Sequence, residues 1–370
     1  MNPRFTVGVT GYRGLLGWQA LGFLKSLPNV VIKFADRDAF ADAQELEDFV
    51  KDCDSIWHFA GMNRGDESEV AQTNLSLTTQ LIAALERTES KAHVLFSNST
   101  HIARDTVYGQ SKRECAVLLS DWALRAGGLF SNIILPNVFG EAGKPFYNSV
   151  VSTFCFQVAR GEQTVVHQDA ELEQVHAQVV ARAFWDAVGE KRQGDFWLPG
   201  RKISVLGLLE RIRGFHALYG SHIFPDVRDD FDRDLFNTYR SYLYPDRYPT
   251  QLTLHTDARG SLFEAVKTYN GGQTFLSTTK PGITRGNHYH TRKIERFLVI
   301  SGEAEIKIRR IFDGEVKVFA VSGKQPSYVD IPTLHTHNIT NTGPNELVTL
   351  FWTHEFFDPE SSDTIMEQVQ

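Results

Sequence analysis

His288-Tyr289-His290 puts two imidazoles two residues apart, and Glu295 follows within the same short stretch, Gly282 to Gly302. On a strand, positions i and i+2 point to one face, so both rings can meet one ion. Glu295 adds a hard oxygen donor, and His337 can close the site from another strand. Three imidazoles and one carboxylate suit zinc, iron, manganese, nickel or copper rather than calcium. His335, two residues before His337, is an alternative ligand. A second chemistry stands far upstream. Tyr108-Gly109-Gln110-Ser111-Lys112 stacks a phenol and an ammonium on one helical face. A nearby positive charge favours phenolate, so Lys112 is expected to lower the Tyr108 pKa and suit it to donate a proton to a reduced carbonyl. Ser99 is placed to hydrogen-bond the same carbonyl oxygen.

Positioning that second set requires a parallel sheet. Phe5–Thr10 is a short β-rich run, Gly11-Tyr12-Arg13-Gly14-Leu15-Leu16-Gly17 is a turn, and Trp18–Leu27 reads as a helix. In such a turn the first glycine permits a tight bend, the second admits a pyrophosphate and the third lets helix and strand pack closely. The helix start adds N–H groups for the phosphates. Further strands are expected at Val30–Ala35, Asp54–Ala60, Val94–Ser97 and Ile133–Leu135, with helices at Gln72–Leu85 and Tyr108–Ala126. Strand–helix alternation implies a parallel sheet covered on both faces. After the second strand, Asp36 can accept from a ribose 2′-hydroxyl, which favours NAD, whereas Arg13 and Arg37 can neutralise a 2′-phosphate. The two arginines tilt the reading toward NADPH.

Residues 150–225 read as a smaller substrate lobe, helical with short strands at Gln163–His167 and Asp195–Leu198. Asp226 to Tyr248 reads as an ordered connector, since it is rich in aromatics and poor in Gly and Ser. From Leu252 the pattern changes to short β runs at Leu262–Val266, Thr274–Thr278, Phe297–Ile300, Ala304–Arg309, Val316–Val321, Tyr328–Ile331 and Val348–Trp352. These predict a sandwich or jelly-roll barrel. The expected organisation is 1–247, an α/β nucleotide-binding domain with its substrate lobe, and 248–370, an all-β metal-binding domain.

The length of 370 residues suits two domains, and a net charge of −7 without a basic block argues against nucleic-acid partners. No apolar stretch approaches the ~18 residues of a membrane span, so no membrane insertion is expected. Cys53, Cys115 and Cys155 form neither a disulfide framework nor a Cys-x-x-Cys site, and buried thiols in a reducing compartment are expected. No N-terminal stretch reads as a signal peptide, and the expected location is the cytoplasm.

The first half resembles the extended short-chain dehydrogenase/reductase superfamily, a Rossmann-like fold. The resemblance rests on Thr10-Gly11-x-x-Gly14-x-x-Gly17, His58-Phe59-Ala60-Gly61, Asn74, Ser99, Tyr108, Lys112 and Leu135-Pro136-Asn137-Val138-Phe139-Gly140. It implies that Ser99, Tyr108 and Lys112 are catalytic. It also places Gly11, Arg13, Gly14, Leu15, Gly17, Asp36, Arg37, Ala60, Gly61, Asn74 and Asn137 around the dinucleotide. Pro145-Phe146-Tyr147-Asn148-Ser149-Val150 resembles the nucleotide-contacting segment of sugar-nucleotide enzymes, which makes Asn148 a candidate substrate ligand. Only eight residues separate Ser99 from Tyr108, fewer than in most extended members. The second half resembles the cupin superfamily. Gly282-x5-His288-x-His290-x4-Glu295-x6-Gly302 fits its first motif, and Pro332-x4-His337-x3-Asn341 its second, with Leu334 where a glycine is usual.

Across both halves the chain is similar to the CapF-type capsular-polysaccharide enzymes. Lys280-Pro281-Gly282-Ile283-Thr284-Arg285-Gly286-Asn287-His288 and Thr336-His337-Asn338-Ile339 carry that resemblance. It implies a zinc-carrying homodimer acting on a UDP-linked 4-keto-6-deoxy sugar. The cupin half would epimerise C3, and the reductase half would reduce C4 with NADPH. Tyr289, Lys280 and His335 are candidates for the epimerase base by their nearness to the metal motif in sequence.

Overall fold

The structure is a computed structural model describing residues 4–253, 255–257, 260–262, 265–269, 271–355, 358 and 360–370. The chain begins with β1 (Phe5–Thr10), α1 (Leu15–Lys25), β2 (Val30–Ala35), α2 (Arg37–Ala41), α3 (Ala43–Val50), β3 (Ser55–His58), α4 (Glu67–Arg87) and β4 (His93–Ser99). It continues through α5 (Val107–Ala126), β5 (Leu129–Leu135), β6 (Asn137–Phe139), α6 (Val150–Arg160), β7 (Glu171–His176), α7 (Ala177–Gly189), β8 (Gly194–Trp197) and β9 (Arg201–Ser204). Six of these strands form a sheet in the order β2-β1-β3-β4-β5-β8, every neighbouring pair parallel. Two apolar clusters cover its faces. One packs Leu46, Leu81, Leu85, Leu119 and Trp122 from α3, α4 and α5. The other packs Leu21, Leu24, Val180 and Phe184 from α1 and α7. This is the expected Rossmann-like arrangement.

The remaining elements are α8 (Val205–Gly220), β10 (Ile223–Phe224), α9 (Asp230–Ser241), β11 (Thr250–Gln251), β12 (His255–Asp257), β13 (Gly260–Leu262), β14 (Lys267–Thr268) and β15 (Gln273–Thr279). After them come β16 (Thr284–Tyr289), β17 (Glu295–Ser301), β18 (Glu303–Arg310), β19 (Val316–Ser322), β20 (Ser327–Ile331), β21 (His335–Asn341), β22 (Leu347–Thr353) and β23 (Ile365–Met366). Two five-stranded antiparallel sheets result, β11-β20-β17-β22-β15 and β19-β18-β21-β16-β23. Phe297, Val299, Val329 and Phe351 of the first interdigitate with Ile306, Ile308 and Ile339 of the second. The β-rich region is thus a two-sheet fold consistent with a cupin-like barrel.

Packing divides the chain into Met1–Thr153 with Val166–Leu206, and Phe154–Val165 with Gly207–Gln370. The pattern change at 247/248 lies inside the second unit. There the His222 ring bonds the Tyr328 hydroxyl at 2.9 Å, and Phe224 stacks on Trp352 at 4.2 Å. We keep 247/248 only as a proposed boundary of sequence pattern. The segment read as a connector contains α9, capped by Asp229 accepting from the Asp232 N–H. The strand expected at Gln163–His167 is absent, and Val165 there is half exposed. The strand expected at Leu262–Val266 falls partly outside the described residues. The three cysteines are free and buried.

Leu334, standing where a glycine is usual, is fully buried and has φ 58°, in the left-handed region. That conformation costs a non-glycine residue about 1–2 kcal/mol. Burial of the side chain outweighs this, since emptying a buried leucine site costs about 2–5 kcal/mol. Leu334→Gly is therefore expected to lower the unfolding free energy of the β-rich unit by about 1–3 kcal/mol despite relieving the strain. Denaturant unfolding checks this, and a more stable variant would contradict it.

Candidate functional site

Three glycine positions between β1 and α1 shape the first site. Gly11 has φ 66°, and a Cβ there would stand 2.7 Å from the Ala60 nitrogen. A Cβ on Gly17 would stand 2.4 Å from the Gly11 carbonyl oxygen. Side chains are excluded at both. Gly14 caps α1 without a side-chain hydrogen bond, leaving the first-turn N–H groups to an anion. Beside this turn lies a cavity of about 920 Å³. Gly11, Arg13, Gly14, Asp36, Arg37, Ala60 and Gly61 line it, all expected from the sequence. Four other expected cofactor residues do not line it. Leu15 and Gly17 lie in α1, and Asn137 donates to the Glu173 carbonyl at 3.1 Å. Asn74 acts behind the wall, its side-chain amide exchanging hydrogen bonds of 2.8 and 2.9 Å with the Met62 backbone. The cleared glycine turn, uncapped helix and cavity fit a dinucleotide.

Asp36 is committed on both oxygens. Oδ1 caps α2, accepting from Asp38 N–H at 3.0 Å, and Oδ2 accepts from Arg13 at 2.9 Å. Arg37 lines the same cavity and is exposed.

β4 ends at Ser99, and α5 brings Tyr108 and Lys112 up one turn apart. The Ser99 side chain stands near the Tyr108 hydroxyl. Burial pushes the Tyr108 phenol above its ordinary pKa, and nearby Ser99 only partly opposes that. The direction is thus opposite to the one lysine alone would give. Buried Lys112 donates to the Ser97 carbonyl at 2.6 Å and sits 3.7 Å from the Phe96 ring centre. Burial pushes Lys112 down to about 8, so its charge is lost as pH rises through that value. The short loop between Ser99 and Tyr108 folds back onto α5. Arg113 donates to the Ile102 carbonyl and, at 3.1 Å, to that of Arg104. Gly109 admits the His101 carbonyl, where a Cβ would come within 2.5 Å. His101, not singled out in the sequence, lies edge-on to Tyr108 at 5.9 Å. Asn148 is exposed, on the loop before α6.

The second site lies in the β-rich unit. His288 pairs with His337 across β16 and β21, just past a bulge at Gly286. Ligand atoms of His288, His290, Glu295 and His337 lie within 4.8 Å of one another. Glu295 Oε2 stands 3.1 Å from Nε2 of both His290 and His337, and 3.9 Å from that of His288. Burial opposes ionisation of Glu295, but with Nε2 protonated His290 and His337 donate to it, and together with nearby His288 they prevail and hold the carboxyl well below the usual range. His290 Nδ1 donates to the Asp363 carbonyl at 2.5 Å, and His337 Nδ1 donates to the His335 carbonyl at 3.1 Å. In a neutral ring those bonds leave the Nε2 lone pair facing the carboxylate. Burial pushes His337 down to about 4, keeping it neutral. Lone pairs converging on a carboxylate are what a shared divalent cation resolves, so the donor set fits a metal.

The four expected ligands are thus together. His335 is turned elsewhere, with Nδ1 on the Thr333 carbonyl at 2.8 Å and its ring against Tyr244 at 4.9 Å. Tyr289 is fully buried, with a strongly raised phenol pKa caused first by burial. Strand alternation points it away from the face of His288 and His290. Lys280 is exposed.

Asp363 was not foreseen. Beyond orienting His290, its carboxylate accepts from the Thr291 hydroxyl at 2.6 Å and from the Arg292 and Lys293 N–H groups at 2.8 Å. It thereby fixes the turn between two ligands. Outer-shell partners of this kind are worth about 10–100-fold in metal affinity. Asp363→Ala is expected to weaken metal binding by roughly that factor. Competition with a chromophoric chelator reads the change, and an unaltered affinity would contradict the role.

Comparison with known proteins follows the same division. Residues 7–197 match the NAD dependent epimerase/dehydratase family, and residues 255–365 match the polysaccharide biosynthesis C-terminal domain. The chain is 33% identical over 362 residues to the UDP-2-acetamido-2,6-beta-L-arabino-hexul-4-ose reductase of Pseudomonas aeruginosa, covering 96% of each. It is 32% identical to the capsular polysaccharide assembling protein CapF of Staphylococcus aureus, covering 98% of this chain and 100% of that one with a TM-score of 0.62. A UDP-N-acetylglucosamine 4-epimerase from Methanobrevibacter ruminantium shares only the fold, with 17% identity over 65% of this chain and 99% of the other and a TM-score of 0.56. No helix among the described residues is long and apolar enough to cross a membrane.

Proposed function

The chain belongs to the NAD dependent epimerase/dehydratase family, in the CapF-type group of capsular-polysaccharide enzymes, and from that premise we propose that it epimerises and then reduces a UDP-linked 4-keto sugar. The substrate is a UDP-2-acetamido-2,6-dideoxy-4-keto hexose. Inversion at C3 in the β-rich unit and reduction at C4 in the N-terminal unit give UDP-2-acetamido-2,6-dideoxy-L-talose, a precursor of UDP-N-acetyl-L-fucosamine. One observation carries the reading: a Ser99–Tyr108–Lys112 set and a four-ligand histidine–carboxylate cluster occur in one chain.

The 4-keto group acidifies the C3 proton, so a base can remove it and a proton returned from the opposite face inverts the centre. His288, His290, Glu295 and His337 would hold zinc or another divalent transition metal, which supplies positive charge for a developing enolate. NADPH supplies the hydride at C4. Ser99 orients the carbonyl oxygen, and Tyr108, kept protonated by its raised pKa, donates the proton. Lys112 holds a positive charge nearby below about pH 8. Exposed Arg37 favours the 2′-phosphate of NADPH, while Arg13 beside it neutralises Asp36. Reduction draws off the inverted ketone and makes a reversible epimerisation one-way. We also propose a cytoplasmic homodimer, which light scattering tests for its stoichiometry.

A second reading has a specific observation behind it. The cluster offers four protein donors, the number by which structural zinc sites would hold their ion with no position left for substrate. The chain would then be an NADP-dependent 4-reductase with a purely structural, dimerising β-rich unit. Incubation with the 4-keto substrate and NADPH, with product stereochemistry read by NMR, separates the two. We expect a C3-inverted alcohol; an alcohol with C3 unchanged supports the second reading, and no oxidation of NADPH overturns both.

A further inference from the structure

We infer that Arg64 clasps the turn at Phe146–Tyr147 to the wall of the dinucleotide cavity, so that Tyr147 is a positioning residue through which NADPH and the uridine diphosphate bind cooperatively. The inference rests on the reading that residues 145–150 contact the nucleotide of the substrate.

Arg64 lies in the loop between β3 and α4, three residues past the cavity-lining Gly61. Asn74 of α4 anchors this loop through Met62, another lining residue. Arg64 Nη1 donates to the Phe146 carbonyl at 2.6 Å and also to the Tyr147 carbonyl. Two successive carbonyls on one donor fix the direction of the turn. The turn is held from its other side by the Phe146 N–H, which donates to Thr153 Oγ1 at 3.0 Å. Phe146 sits at φ 56°, a conformation that needs outside support in a non-glycine residue.

Cations approach the Tyr147 ring from both neighbours. The Arg64 guanidinium is 5.8 Å from its centre and the Lys144 ammonium 5.3 Å. Within about 6 Å of the centroid such contacts are attractive. Tyr147 lines the same cavity as Gly11 and Arg13, while its neighbour Asn148 is the proposed nucleotide ligand. The turn therefore presents consecutive residues to two ligands. Phe146 and Tyr147 are still 54% and 39% exposed, so their apolar surface is left for a ligand to cover. The clasp ties the order of the turn to that of the Gly61–Arg64 loop, so a ligand that orders either segment lowers the entropy cost that the other ligand meets. Linkage makes the effect reciprocal.

The test is a fluorescence titration of NADPH with and without saturating UDP, and of UDP with and without NADPH. For the wild-type chain each ligand is expected to tighten the other by about fivefold or more. In Arg64→Ala both ligands still bind, the melting temperature is unchanged, and the coupling ratio falls to about one. Arg64→Lys restores part of the coupling, because one ammonium can still donate to a carbonyl. Independent binding in the wild-type chain, or undiminished coupling in Arg64→Ala, overturns the clasp alone. Failure of UDP to bind at all overturns the functional reading and the clasp together.

Discussion

Tyr108→Phe is expected to lower NADPH-dependent ketone reduction by about 10²–10⁴-fold while leaving exchange of the substrate C3 proton intact. The phenylalanine keeps the ring that packs edge-on against His101 and removes only the hydroxyl near Ser99. The fold is therefore preserved and the loss reads as a lost proton donor. Because burial raises the Tyr108 pKa, the group is protonated throughout the neutral range, and no compensating gain in rate appears as pH rises toward 8. Above that value Lys112 also loses its charge. Stopped-flow oxidation of NADPH and C3 deuteration followed by NMR read the two activities separately. A variant that loses both would mean that the N-terminal unit also performs the proton exchange.

The second large effect is expected from His290→Ala. This substitution removes one of four converging donors and the ring that bonds the Asp363 carbonyl. Metal affinity should fall by more than the roughly 100-fold at the upper end of outer-shell changes. C3 exchange should fall with it, while reduction of ketone already inverted at C3 persists. Elemental analysis after dialysis, together with C3 deuteration, measures both. Preserved exchange in the folded, metal-free variant would make the cluster structural and favour the simple reductase.

The glycine turn, the Tyr-x-x-x-Lys pair and the His-x-His stretch were legible because each is local. Their residues lie within one turn of helix, one strand or one tight bend, and spacing alone fixes which face they share. His337 was read as closing the site from another strand, but the partner strands were not legible: β16 pairs with β21 to set His337 beside His288, and Glu295 comes from β17 in the other sheet. α2 and α3 escaped notice because they are five and eight residues long, too short for a clear apolar period, although Asp36 and Asp42 cap them. α9 was hidden by its acidic and basic residues, because burial there takes in the whole run Asp234–Arg240, polar and charged side chains included, rather than an apolar face. Gln163–His167 has β-rich composition, but composition does not provide a partner strand; Glu171–His176, less apolar, pairs with both β6 and β9. Asp363 and Arg64 act through backbone groups about 70 and 80 residues away, a contact that no local pattern encodes.

The most direct test of two chemistries in one chain uses the UDP-linked 4-keto-6-deoxy-N-acetyl hexose in deuterated water. C3 is followed by NMR first without NADPH and then after its addition. The account predicts deuterium at C3 before any NADPH is present, then NADPH-dependent formation of the C3-inverted alcohol. Oxidation of NADPH with C3 unlabelled and uninverted would contradict it.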